Sequence, residues 1–452
     1  MRVNIVIVDA DYGKFSDLQL CYTDNGVSRS VPLSFLGYER VFDFTNDFTS
    51  VKFDFFLVSA IVYGVDNLLS RAIYSNDGWT RDIEIEFPVN NLAVWNGKEE
   101  KVKQILDFLT GDNWHISFRK IEDVNLFHPR TNRRKTPHYE KDTIKSVSLF
   151  SGGLDSLIGV IDELEKLRNN ERILLVSHFD SKSPGPNGDQ KKLLRHLMTQ
   201  YPNKIYWVQS KLALSRKDID GERVIIEKNY RSRSLFFIGL GIYLSPTDEL
   251  IIPENGTISI NYPLTPSRVS SLSTRTTHPY VLKTTQELFA ELGLHTKIDN
   301  PYSLRTKGEM IIECTNPRFL ESVYTDSVSC GKRGFRQFHF DNPSEKHNCG
   351  RCMPCIYRRA ALNKAVLDNE NHYGNFITKV SSVGKNDLPA LFSYLKRNIP
   401  LEKMKRDLLV NGNIDIDSLT GYAEMVLRSK AEVLKLFNDK GNRFVKSELG
   451  IR

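Results

Sequence analysis

The spacing of apolar residues along this chain changes period twice, and each change marks a different kind of element. Arg81-Asp82-Ile83-Glu84-Ile85-Glu86-Phe87 alternates strictly and predicts a half-buried strand, and Met1 to Asp9 reads as another. Asp54 to Val65 and Glu99 to Leu109 carry helical spacing, with Gly111 placed to close the second. From Ile144 the pattern becomes that of a buried parallel sheet. Ile173 to Phe179 is a continuous apolar run, and Ile205-Tyr206-Trp207-Val208 and Glu249 to Pro253 read as further strands. Tyr230 to Leu244 predicts a buried helix between them. After Arg358 the chain turns polar and helical, with Leu419, Ala423, Val426, Leu427, Leu434 and Phe437 on one stripe. The expected architecture is therefore an α+β module over 1–140, a doubly wound, mostly parallel α/β sheet over 141–365 and a helical cap over 366–452. That cap also offers a surface for a partner. Trp79, Trp95 and Trp114 read as core or interface residues.

One stretch organises the rest. Ser148-Leu149-Phe150 ends a strand, Ser151-Gly152-Gly153 forms a turn, and Leu154-Asp155-Ser156-Leu157 opens a helix with Val160, Ile161, Leu164 and Leu167 on one face. Two glycines let the backbone approach an anion, and the free N–H groups of the helix start face it. Ser151 and Ser156 add hydroxyl donors, and Asp155 can hold a magnesium ion or position a ribose or phosphate. The Gly-Lys-Ser/Thr ending of a Walker loop is missing. The Ser-Gly-Gly-x-Asp-Ser string instead resembles the PP-loop of ATP pyrophosphatases, which share a HUP-like sheet and cleave ATP between the α and β phosphates.

Composition narrows the setting. The chain has 452 residues, a net charge of +7 and 40% hydrophobic content, as expected for two or three globular domains with anionic ligands. A nucleic acid suits the charge, but no dense alternation of basic and aromatic residues indicates one. The longest apolar run, Leu235 to Leu244, is too short to span a bilayer, and the N-terminus reads as a strand rather than a signal peptide. Both features point to the cytoplasm. The segment from Phe127 to Asp142, with Arg130, Arg133, Arg134 and Lys135 between Pro129 and Pro137, reads as a solvated linker or a phosphate-contacting strap.

Four of the six cysteines, Cys330, Cys349, Cys352 and Cys355, lie late in the chain, three of them in a C-x2-C-x2-C run. Four thiolates suit a closed tetrahedral zinc, which would staple the 331–348 excursion to the sheet. His339 and His347 in that excursion read as packing or exposed residues. Cys314 and Cys21 lie outside the spacing.

The PP-loop together with this cysteine set resembles the QueC family, the 7-cyano-7-deazaguanine synthases of queuosine biosynthesis. Phe179-Asp180 with Gln190, Arg233-Ser234, Thr306-Lys307-Gly308-Glu309-Met310 and Ser329-Cys330 resemble further family segments. The family's Gly-Tyr-Pro-Asp-Cys-Arg stretch is replaced by Leu272 to Pro279, and Ser181 to Asp189 is an insertion. The added N-terminal module and helical tail are similar to the longer QueC-like proteins of anti-phage operons, the QatC components of Qat defence systems. The resemblance implies ATP, Mg2+ and Zn2+ as cofactors. It also implies an AMP-forming ligase that adenylates a 7-deazaguanine carboxylate or a similar one, for transfer to an amine, with a protein from the same operon as one acceptor. The free-base nitrile synthase and a non-catalytic nucleotide-binding subunit are the alternatives.

The site residues follow from these motifs. Ser151, Gly152, Gly153, Leu154, Asp155, Ser156 and Phe179 would bind ATP. Cations are needed where charge grows on the separating phosphates, and Arg231, Arg233 and Lys307 are the candidates, with Asp155, Arg233 and Lys307 as the catalytic set. Glu254-Asn255-Gly256 reads either as a contact to a base edge or as a turn. Arg275 and His278, in the altered segment, are candidates for the substrate side, His278 as a general base or as a structural histidine.

Overall fold

The computed structural model describes residues 1–7, 18–36, 38–122, 138–180, 185–227, 229, 231–265, 275, 277–333, 339–345, 347–382 and 387–451. Among the described residues ten strands form a single sheet. They are β1 (Arg2–Ile7), β2 (Leu18–Asp24), β3 (Val27–Leu36), β4 (Asp82–Val89), β5 (Asn113–Lys120), β6 (Ile144–Leu149), β7 (Arg172–Asp180), β8 (Ile205–Leu214), β9 (Glu249–Ile251) and β10 (Lys297–Asp299). Their order across the sheet is β10-β9-β6-β7-β8-β3-β2-β1-β4-β5.

The sheet has two halves of different construction. From β10 to β8 every neighbouring pair is parallel. The chain starts in the middle of this half at β6, moves outward through β7 and β8, then returns to the other side for β9 and β10. The strand order therefore reverses once, between β6 and β9. The other half begins with an antiparallel meander, β1-β2-β3, followed by β4 and β5 parallel to β1. Asn25 and Gly26 make the tight β2–β3 turn with φ of 48° and 83°, the combination a two-residue primed turn requires. An antiparallel seam, Leu33 opposite Leu214, joins the two halves.

The core ignores the division at residue 140. One apolar cluster includes Val3, Leu20, Leu33, Phe56, Ile83 and Trp114 together with Leu149, Val176, Phe236 and Leu250. The helix Val51–Leu68 packs on the helix Arg233–Leu244, so the apolar run expected as a buried helix is covered by an element of the first 140 residues. Gly239 makes this close approach workable: a Cβ there would lie 2.1 Å from the Ser59 hydroxyl.

The expected elements are present. Helices cover Glu99–Thr110, closed by Gly111 at φ 75°, and Ile416–Lys440, whose Leu419, Ala423, Val426 and Phe437 are buried. Trp95 and Trp114 are core residues, whereas Trp79 is half-buried. The helical tail shares a second core with Ile260, Met353, Ile356 and Ala360. Most of the basic linker, including Arg130, Arg133, Arg134 and Lys135, lies outside the described residues, as do Ser181 to Pro184 and Leu272 to Thr274. Among the described residues no helix is long and apolar enough to cross a membrane.

Candidate functional site

The strand order reverses at β6 and β9, and the carboxyl ends of strands at such a reversal are the usual ligand position in parallel sheets. Four separate segments meet there. From β6 the chain runs through Phe150 into the loop Ser151-Gly152-Gly153 and the helix Leu154–Lys166. Gly152 has φ 86°, a conformation a side chain would strain. The Ser151 and Ser156 hydroxyls lie 3.1 Å apart, Gly153 N–H donates to Ser151 Oγ at 3.3 Å, and Ser156 Oγ donates to Gly153 C=O at 3.0 Å. No side chain caps the start of this helix. Leu154 is buried beneath it.

Asp155, in the first turn, is buried and meets three residues from two other segments. Asn255, after β9, donates from Nδ2 to Asp155 Oδ2 at 2.6 Å. Its Oδ1 accepts from Ile258 N–H at 3.1 Å and caps the helix Gly256–Ile260, so the Asn-Gly pair is a turn and an Asp155 contact at once. Lys307, at the start of the helix Lys307–Glu313, forms a buried ion pair with Asp155 Oδ1. Glu254 hydrogen-bonds Asp155. Part of Glu254 stays accessible, but protein atoms surround its carboxyl. Arg233, exposed at the start of its helix, faces Glu254 closely enough to favour its charge.

The electrostatics of the two carboxyls diverge. Burial alone would raise both. For Asp155 the Lys307 ammonium and hydrogen bonds from Glu254, Lys307 and Asn255 override burial and hold the carboxyl below the usual range. For Glu254 burial dominates, and the neighbouring Asp155 charge adds to it, so its pKa lies well above the usual range despite Lys307 and Arg233. The two carboxyls titrate as a coupled pair, with the charge favoured on Asp155 and the proton on Glu254.

Lys307 is positioned from the tail. Thr306 and Glu309 form a reciprocal capping box. Thr306 Oγ1 donates to Glu432 on the helix Ile416–Lys440 at 2.5 Å, and Lys364 binds the same carboxylate at 2.8 Å. The Thr-x-x-Glu spacing signals the cap, but nothing local signals Glu432.

The other expected residues lie elsewhere. The half-buried Phe179 ring, near the end of β7, sits 5.7 Å from Lys211 Nζ. Arg231 stacks on Trp79 at 4.2 Å, beside a buried network of Arg71, Arg81, Asp66 and Asp112, and burial lowers its pKa to about 10. Arg275 lies over the Phe108 ring at 4.3 Å. His278 caps the helix Pro279–Glu291 by accepting from Tyr280 N–H at 3.2 Å and also packs on Phe108. Burial, helped by the Arg275 charge, pushes its pKa down to about 3 and keeps it neutral.

The four cysteines converge. The sulfurs of Cys330, Cys349, Cys352 and Cys355 all lie within 4.8 Å of one another, with Cys330 to Cys352 at 3.8 Å and Cys349 to Cys355 at 4.0 Å. A tetrahedral thiolate site with bonds of about 2.3 Å spaces its sulfurs about 3.8 Å apart, so the cluster fits a metal ion. Backbone N–H groups of Lys332 and Cys349 point at Cys330 Sγ, and that of Cys352 at Cys349 Sγ, each at 3.3 Å. These bonds support thiolate character. Gly350, at φ 84°, lets the knuckle approach Asn375 C=O. His339 is buried and His347 exposed, and neither belongs to the cluster.

Taken together, the chain is a mixed, mostly parallel α/β protein with flanking helices and a four-cysteine cluster able to hold a metal ion. Comparison with family models, with curated proteins and with solved structures finds no match.

Proposed function

We propose that the chain is a PP-loop-type ligase of the QueC-like kind, which splits ATP to AMP and pyrophosphate while adenylating a 7-deazaguanine carboxylate or a related one. The observation that carries this reading is the convergence on Asp155 of Asn255, Glu254 and Lys307, at the strand-order reversal and directly behind a Gly-Gly anion loop. The loop N–H groups and the Ser151 hydroxyl would hold the β and γ phosphates as leaving group. Lys307 and Arg233 would meet the charge that grows as the α–β bond opens. Asp155 accepts from Asn255, Lys307 and Glu254, which leaves one lone-pair position where a magnesium ion accompanying ATP would be held. The cysteine cluster is assigned to structural zinc, since all four positions are filled by protein.

The acceptor of the activated acyl group would be an amine, either ammonia or a partner protein of an anti-phage operon. The test is incubation with ATP, magnesium and 7-carboxy-7-deazaguanine, with ammonia or the operon partner. AMP and pyrophosphate formed only with the carboxylate are expected. A partner gaining the mass of the base would support conjugation, and free nitrile base with ammonia alone would support biosynthesis. ADP as product would overturn the reading.

A further inference from the structure

The glycine loop and the cysteine cluster are far apart in sequence, yet one short arm touches both. This arm, Ser327 to Arg333, leaves the turn after Val323 and carries Cys330, the only cluster cysteine outside the 349–355 knuckle. Its root is held by the buried Arg358 of the helix Met353–Lys364, which donates to Ser327 Oγ and Tyr324 C=O, both at 2.8 Å. In its middle, Val328 N–H donates to Gly152 C=O at 3.2 Å. A Cβ added to Gly153 would lie 3.7 Å from Val328 C=O and 3.8 Å from Ser329 Oγ. At its tip, Arg333 forms a two-point ion pair with Asp189, with Nη2 2.7 Å from Oδ1.

The residue after Asp189 completes the circuit. Gln190 is fully buried, and its Nε2 donates to Ser151 C=O at 3.2 Å and to His178 C=O at 3.1 Å. Its Oε1 accepts from Gln209 Nε2 at 2.6 Å. A Cβ on Gly152 would press on Gln190 Cγ at 3.2 Å. The glycine loop is therefore gripped on one side by Gln190 and on the other by the arm, and Arg333–Asp189 ties the two grips together.

We propose that the four-cysteine cluster is the anchor of a clamp on the glycine loop, with Arg333, Asp189 and Gln190 as positioning residues, so that metal occupancy sets the order of the loop. The arm reaches the knuckle through Cys330. With metal present, a bond to sulfur fixes the arm, and with it Val328 and Arg333. Without metal, no bond joins Cys330 Sγ to the knuckle, and the arm is held by its Arg358 root and by its contacts to Gly152 and Asp189 alone. Loss of metal would then loosen residues 151–156 before it loosens the sheet, because the strand pairings of β6 involve neither the arm nor the cluster. This inference rests on the cluster and the loop contacts. It stands whether or not the loop binds ATP.

The test uses the full-length chain and reads hydrogen exchange in the peptide covering 150–157, with metal content measured in parallel. Arg333→Ala leaves all four thiolates in place. It should keep one metal per chain while exchange in 150–157 rises at least tenfold and β1 to β5 are unchanged. Arg333→Lys should recover part of the protection. Chelation of the wild-type chain should reproduce the same local rise. Chelation that unfolds the whole chain, or that leaves exchange in 150–157 unchanged, would overturn the metal dependence. Unchanged exchange in Arg333→Ala, or metal loss in that variant, would overturn the proposal. ATP titration of the same samples separates this from the proposed activity: a wild-type chain that binds no ATP sinks the nucleotide reading, while the exchange result still decides the clamp.

Discussion

Two buried charge clusters sit in the two halves of the sheet, and they handle the same problem differently. In the meander half, Arg81 is fully buried. It donates to Asp112 Oδ1 at 2.9 Å, Asp66 Oδ1 at 2.6 Å and the carbonyls of Asp66 and Leu69. Arg71 adds a bond to Asp112 at 2.7 Å, and Ser232 one to Asp66 at 2.6 Å. Burial would neutralise these groups, but their mutual attraction wins: Asp66 titrates below its usual range and Arg81 above its own. In the parallel half, Asp155 and Lys307 are paired, while burial and the Asp155 charge push the Glu254 carboxyl well above its usual range. The first cluster resembles a staple between Val51–Leu68, β4 and β5. The second lies beside the glycine loop. If that loop holds phosphate as proposed, the second cluster keeps groups whose charge can still change when the anion arrives.

The largest expected effect tests the staple. Arg81→Met leaves two buried carboxylates without their main partner and should cost about 3–5 kcal/mol, read by urea denaturation. A cost below about 1 kcal/mol would erase the distinction between the clusters. Next, Lys307→Met should slow carboxylate-dependent pyrophosphate release at least about a hundredfold, about 3 kcal/mol in the barrier. Its stability cost should be smaller than that of Arg81→Met, because Asp155 can take up a proton. Equal costs in both variants would mean that the second cluster is also a staple.

The two clusters should also respond to pH with opposite sign. Asp66 has a folded pKa below its ordinary 3.8, so its contribution is present above that value and lost as pH falls through the lower folded pKa. Glu254 has a folded pKa above its ordinary 4.5, so its contribution is present below 4.5 and lost as pH rises toward and through the folded pKa. Asp155, Lys307 and Arg233 are the charged groups that face it. Glu254→Gln should flatten the alkaline fall of the stability–pH curve, a slope of at most about 1.4 kcal/mol per pH unit for one proton. A wild-type curve with no fall above pH 4.5 would rule out the raised Glu254 pKa. The smallest effect comes from the support: Thr306→Ala removes the cap and the Glu432 contact and should cost about 1 kcal/mol. Its effect on pyrophosphate release should exceed that of an equally destabilising change in the meander half.

The local parts of this arrangement were legible in the sequence. The Gly-Gly turn between an apolar strand and an amphipathic helix, the C-x2-C-x2-C run and Gly111 as a helix stop all follow from backbone and ligand chemistry acting over a few residues. Asn25-Gly26, between runs that bury Leu18, Leu20 and Tyr22 on one side and Val31, Leu33 and Phe35 on the other, carries an equally clear hairpin signal. Three features were not legible. The antiparallel pairing of β3 with β8 depends on two edges meeting, and neither segment encodes its partner. Arg231 and Arg233 lie two residues apart with the same charge, and only the helix start at Arg233 sends one toward Trp79 and the other toward Glu254. Glu432 reaches Thr306 from the far end of the chain. Long-range side-chain partners are set by the assembled fold.

The β3–β8 seam has a consequence for the order in which the chain is made. Leu33 cannot find Leu214 until the ribosome has added the intervening residues, roughly ten to forty seconds at about 5–20 residues per second. During that interval β3 is an exposed sheet edge, and the apolar face of Val51–Leu68 lacks its Arg233–Leu244 cover. A nascent chain paused near residue 140 would carry a complete meander with an open β3 edge and an uncovered apolar helix face.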